Sequence, residues 1–164
     1  MARVVLIGLP GAGKSAVARA LGAHYGVAWV DTDEEVATRE GASPGDLIRT
    51  RGEAAFRDLE SHALELALAR DVIVATGGGV VERASNRDAL RSAPTVWLDA
   101  PDEVLLARVG EGDRPLLGDD PARALARLRR RRRGWYEEVA RIRVAATGTL
   151  DEVVAAVVDG MMLA

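Results

Sequence analysis

The chain has 164 residues, 48% of them hydrophobic, with a formal net charge of −3 and both signs interspersed. That is enough apolar material for one core of ordinary domain size, and it provides no global field suited to nucleic acid. Cysteine is absent, which excludes disulfides, thiolate metal sites and cysteine nucleophiles, and no apolar run is long enough for a signal-peptide core or a membrane span. One domain over 1–164 is expected, monomeric and cytoplasmic, with no nucleic-acid or membrane partner.

In chain order, the first apolar run, 3–7, reads as a buried strand. It leads into Gly8-Leu9-Pro10-Gly11-Ala12-Gly13-Lys14-Ser15, with a helical pattern over 14–24. Lys14 is the only lysine; every other basic side chain apart from the histidines is arginine. A Gly-rich loop opening a helix presents backbone N–H groups and the positive end of the helix dipole to a polyphosphate, with Lys on the outer oxygens and Ser on Mg²⁺. Gly11-Ala12-Gly13-Lys14-Ser15-Ala16 also satisfies a dinucleotide fingerprint, but that pattern explains neither Gly8 nor the Lys-Ser pair.

A second strand over 28–31 ends in Asp31-Thr32-Asp33 before a helix over 33–40. Asp33 admits two readings, a helix N-cap or a carboxylate that orients or deprotonates an acceptor hydroxyl, with Asp31 then holding a water of the Mg²⁺ shell. A helix over 53–69 buries Phe56, Leu59, Ala63 and Leu66. Beside that stripe, Arg57 and Glu60 are i,i+3 neighbours, either an exposed ion pair or an arginine oriented to grip a carboxylate. A third strand over 71–75 runs into Thr76-Gly77-Gly78-Gly79, a flexible turn or a point where backbone closely approaches a ligand; Thr76 is a candidate for the metal-water shell.

Helices follow over 86–92, 101–109, 121–138 and 150–162, with strands over 95–98 and 141–145. Alternating strands and helices argue for a parallel sheet covered on both faces, which binds ligands beyond the carboxyl ends of its strands. The Gly- and Pro-bounded segment from Arg114 to Pro121 reads as a surface connector or a lid that brings Arg114 to a transferring phosphate. In the last long helix the stripe Leu125, Leu128, Trp135 and Val139 passes through position 132, so Arg132 interrupts an apolar face and needs an anionic partner. Arg132 is therefore expected to face the cleft and an anionic substrate, with its arginine neighbours mostly solvated. His24 and His62 have no partners at metal spacing and receive no role.

Taken together, Gly8–Ser15, Asp31-Thr32-Asp33, Gly52 through Glu60, Gly77-Gly78-Gly79, Arg114-Pro115-Leu116-Leu117 and Arg132 through Tyr136 resemble the shikimate kinases, small P-loop kinases. The resemblance runs nearly end to end. It implies a three-layer P-loop α/β fold with a five-stranded parallel sheet in the order 2-3-1-4-5, a shikimate-binding segment at about 33–60 and a lid at about 111–121. The implied reaction is phosphoryl transfer from ATP, with Mg²⁺, to the 3-hydroxyl of shikimate on the way to chorismate. Matching positions make Lys14, Asp33 and Arg114 catalytic. They place Gly11, Ala12, Gly13, Lys14, Ser15, Ala16, Arg108 and Arg114 on the nucleotide, and Asp33, Arg57, Gly78, Gly79 and Arg132 on shikimate. Ser15 binds Mg²⁺ directly and Asp31 through water. The chain departs from the family pattern at Ala16, often threonine, at Pro44, usually isoleucine, and over 144–149, which lacks the usual adenine loop. A gluconate kinase and a nucleotide-binding regulatory module without transfer activity are the alternatives.

Overall fold

The computed structural model describes residues 1–109 and 117–164. Strands β1 (Val4–Ile7), β2 (Trp29–Asp31), β3 (Ile73–Ala75), β4 (Thr95–Asp99) and β5 (Ile142–Ala145) form one sheet in the order β2-β3-β1-β4-β5, every neighbouring pair parallel. This is the expected order. β1 and β3 are buried throughout and contain only Val, Ile, Leu and Ala, as central parallel strands covered by helices require.

The helices are α1 (Lys14–Tyr25), α2 (Thr32–Glu40), α3 (Pro44–Arg51), α4 (Glu53–Leu68), α5 (Ala84–Arg91), α6 (Asp102–Val109), α7 (Pro121–Val139) and α8 (Leu150–Leu163). α1 and α8 pack on each other, against β2, β3 and β5, while α5 and α7 pack on each other and α7 reaches β4. The sheet is thus the middle of three layers. A second, smaller core of Val36, Leu47, Phe56 and Ala63 ties α2, α3 and α4 together apart from the sheet.

Leu6 and Asp31 both pair with Ala75, so the chain leaves β1, β2 and β3 at one level. The connection from β3 then crosses β1 to reach β4, creating the crevice where parallel sheets bind ligands. Gly8, Thr32 and Thr76 all open onto that rim.

Two local features differ from expectation. Helix α3 is absent from the apolar periodicity because Leu47 is its only buried residue; Ser43 and Pro44 start it instead. The Ser43 hydroxyl accepts the Asp46 N–H at 3.1 Å, and Pro44 supplies a first-turn φ while lacking an N–H that would otherwise need a partner. In α4 the buried residues are Phe56, Arg57, Glu60, Ala63, Leu64 and Ala67, while Leu66 is exposed. The buried face is turned because Arg57 and Glu60 neutralise each other and enter the interior together.

Candidate active site

The loop after β1 requires glycine at two positions. Gly11 has φ 84°, and a Cβ there would lie 2.6 Å from the Leu105 carbonyl oxygen; Gly13, at φ 88°, forms the left-handed N-cap of α1. No side chain caps that helix, so its first N–H groups are available to an anion. Gly11, Gly13, Lys14, Ser15 and Ala16 line a cavity of about 550 Å³, which also takes in Asp31, Asp33, Pro44, Thr76, Gly77, Gly78, Gly79, Arg108 and Arg132. Ala12 turns inward and is buried, its N–H bonded to the Leu9 carbonyl at 3.2 Å. The Lys14 ammonium donates to the carbonyls of Gly8 and Leu9 at 2.8 and 3.0 Å. At the end of α6, Arg108 reaches the Gly11 carbonyl at 3.3 Å. Arg114 and most of the expected lid segment lie outside the described residues.

The two aspartates after β2 divide the work. Asp31, rather than Asp33, caps α2: its Oδ1 accepts the N–H groups of Asp33 and Glu34, and its Oδ2 accepts the Ser15 hydroxyl at 2.5 Å. A hydroxyl and a carboxylate in contact at a helix N-terminus suit Mg²⁺, which takes few protein oxygens and keeps several waters. Among the described residues no group of three or more potential metal-ligating side chains converges, so the oxygens available here fit an ion bound mainly through phosphate and water. The Thr76 hydroxyl donates to the Leu6 carbonyl at 3.0 Å, which commits its proton to the backbone.

Asp33, released from capping, turns into the pocket. Burial, together with the negative charges of Glu60 and Asp31, pushes its carboxyl up to about 7, with Lys14 and Arg57 pulling the other way. Gly77 presses against it: a Cβ at Gly77 would lie 2.5 Å from Asp33 Oδ1 and 2.8 Å from Glu60 Oε1. Glycine is therefore required here to let backbone approach two carboxylates.

Arg57 and Glu60 are 6% and 1% exposed and bonded at 2.8 Å, so the solvated-pair reading does not hold. Burial raises the Glu60 carboxyl even beside Arg57. Arg57 is not part of the cavity lining; its guanidinium lies directly behind Gly79, where a Cβ would run into it. Arg132 is 2% exposed and does interrupt the apolar face of α7, whose buried aromatic is Tyr136 rather than Trp135. Its Nε and Nη2 contact one Glu82 oxygen at 2.9 and 2.8 Å. Tyr136, one turn on, donates its hydroxyl to the Gly78 carbonyl at 2.6 Å. Arg129 is only partly solvated: it bonds Asp99, Asp102 and the Ala100 carbonyl, bracing α7 against the end of β4.

Among the described residues four buried side-chain atoms have no hydrogen-bond partner, and three of them are Asp33 Oδ1, Arg57 Nε and Arg132 Nη1. All three groups abut the Gly77–Gly79 turn. Orphaned buried polar atoms are rare, and here three adjoin one turn that lines the cavity.

A family model described as shikimate kinase matches residues 10–161. The chain belongs to the shikimate kinase family. A shikimate kinase of Nitratidesulfovibrio vulgaris is 48% identical over 146 residues, covering 85% of this chain and 83% of the relative. Among solved structures, the shikimate kinase from Acinetobacter baumannii in complex with shikimate superposes with a TM-score of 0.92 at 31% identity, covering 98% of this chain and 92% of that one. A gluconokinase from Sinorhizobium meliloti superposes with a TM-score of 0.61 at 21% identity, covering 98% and 91%, and shares the fold alone.

Glu82 and the burial of Glu60 were not predictable from spacing, and Tyr136 was overlooked. Glu82 lies in a short 3-10 turn, Val80–Glu82, that has no period to read. Tyr136 carried a usable signal: it follows Arg132 by four residues and so shares its helix face.

Proposed function

We propose that this chain transfers the γ-phosphoryl group of ATP to the 3-hydroxyl of shikimate, giving ADP and shikimate 3-phosphate in the route to chorismate and the aromatic amino acids. The observation that carries the reading is the set of unpartnered polar atoms at Gly77–Gly79, an acceptor on Asp33 and donors on Arg57 and Arg132. A hydroxy acid supplies their complement, a hydroxyl that donates and a carboxylate that accepts.

Asp33 accepts the 3-hydroxyl, and a carboxyl poised at about 7 can hold its proton as transfer proceeds. Arg132 lines the carboxylate end and Arg57 backs it from behind Gly79. Gly78 and Gly79 contact shikimate through backbone. At the other end Gly11, Ala12, Gly13 and Ala16 shape the phosphate cradle, Lys14 and Arg114 neutralise charge on the transferring group, and Arg108 lies against adenine. Ser15 and Asp31 would hold the Mg²⁺ of Mg·ATP, which would neutralise charge on the phosphates. Bound Mg·ATP supplies the phosphoryl group; the chain contributes positioning and charge, since a loose transition state needs little covalent help. Among the described residues no helix is long and apolar enough to cross a membrane. A cytoplasmic monomer without nucleic-acid partners completes the proposal.

The test is purified chain with Mg·ATP, assayed for shikimate-dependent ADP release, with shikimate 3-phosphate identified by mass and gluconate and AMP as alternative acceptors. Turnover with shikimate alone is expected. Transfer to gluconate, or ATP binding with no transfer to any hydroxy acid, overturns the reading.

A further inference from the structure

We propose that Glu82 is a positioning residue for the substrate carboxylate: it grips one edge of Arg132 so that the opposite nitrogen, Nη1, is held at the Gly78 turn that lines the pocket. The proposal rests on the reading of Arg132 as a carboxylate-binding group.

Both Nε and Nη2 of Arg132 fall on Glu82 Oε1, at 2.9 and 2.8 Å, which fixes the plane of the guanidinium. Nη1 is left without a partner among the described residues, and a Cβ at Gly78 would lie 3.2 Å from it. Glu82 is itself held from the far side, its Oε2 accepting the Arg131 Nη2 at 2.9 Å. Its backbone N–H donates to the Gly79 carbonyl at 3.0 Å, so the carboxylate is geared to the glycine turn. Turn, carboxylate and arginine therefore form one unit, and Tyr136 closes it by bonding the Gly78 carbonyl.

Chemistry calls for such a holder. A long guanidinium taken almost wholly from water needs acceptors for its N–H groups while the site is empty, or it swings toward solvent or toward the wrong carboxylate. Here the competing carboxylates are Glu60 and Asp33, both facing the same turn. Arg57 has its own holder, with Nη1 on Glu60 and Nε left over. Arg132 receives the equivalent from an element fifty positions earlier in the chain. The opposite sign is also physical: a carboxylate on Arg132 competes with the substrate's, and removing it would then tighten binding.

Three variants decide it, each checked for folding by thermal denaturation and assayed for shikimate KM, ATP KM and kcat. Glu82→Gln keeps reach and acceptor but not charge; Glu82→Asp keeps charge but falls short; Glu82→Ala keeps neither. Positioning predicts that the shikimate KM rises about tenfold in Ala and Asp and stays within about threefold of wild type in Gln, with ATP KM unmoved and kcat changed less than KM. If Ala fails to fold, the order of Asp above Gln carries the same information. Lower KM in Glu82→Gln, equal KM in all variants while Arg132→Ala raises it, or parallel rises in both substrates' KM would overturn the proposal. Absence of shikimate-dependent ADP release in the wild-type chain would instead overturn the functional reading on which it rests.

Discussion

At the Gly8–Ala16 end of the pocket the chain presents mainly backbone, with one ammonium and one hydroxyl, and only Arg108 joins it from elsewhere in the chain. At the other end side chains from α2 and α7 line it around a turn stripped of side chains, with Arg57 of α4 behind that turn. The first end is local, so a single stretch of sequence builds most of it. The second is assembled by the fold and held in place by buried carboxylates: Glu60 on Arg57 and Glu82 on Arg132. Polyphosphate recognition tolerates this economy because helix N–H groups bind any phosphate, whereas choosing one hydroxy acid requires donors and acceptors at fixed separations.

The largest effect should come from the local end. Lys14→Met is expected to lower kcat by at least about a thousandfold with unchanged far-UV circular dichroism; near-normal turnover in folded protein would erase the contrast between the ends. Next comes Asp33→Asn, expected to lower kcat by roughly 10²–10⁴-fold. Because the Asp33 carboxyl is pushed up to about 7, kcat/KM for shikimate should fall as pH is lowered through that value. Stability runs the other way. Between the unfolded value of a carboxyl and about 7, the folded chain binds a proton that the unfolded chain does not, so stability is lost as pH rises through that window. Removing the charge should stabilise the chain at pH 8 by up to about 4 kcal/mol, measured by denaturant unfolding.

Arg57→Ala should raise the shikimate dissociation constant and also destabilise the fold by about 3 to 5 kcal/mol, because it strands Glu60 in the interior. A change in binding with no change in stability would show that the pair is less buried than described. The smallest effect is assigned to Tyr136→Phe, which removes the bond to the Gly78 carbonyl and should cost about 1 kcal/mol in stability, with a modest rise in shikimate KM alone.

The same contrast explains what was legible beforehand. Gly8 through Ser15 is contiguous and its spacing carries its own chemistry. Arg132 was legible because it breaks an apolar stripe. The burial of the Arg57–Glu60 pair was not, since i,i+3 partners look identical on a solvated and a buried face; only the packing of α4 against the Gly77–Gly79 turn distinguishes them. The capping role went to Asp31 because α2 starts at Thr32, one residue earlier than the pattern indicates. Arg129 read as one member of a charge run, and its role depends on Asp99 and Asp102, which are adjacent only in the folded chain.

Asp33, Arg57 and Arg132 each keep an unpartnered polar atom, which the proposed function assigns to a hydroxyl and a carboxylate. Calorimetric titration of the wild-type chain with shikimate and with its methyl ester tests this, because the ester keeps every hydroxyl and replaces the anion by a neutral group one methyl larger. The ester should bind at least about a hundredfold more weakly, as expected when buried guanidinium groups are denied an anion. Equal affinities would contradict it and return Arg57 and Arg132 to a purely structural role.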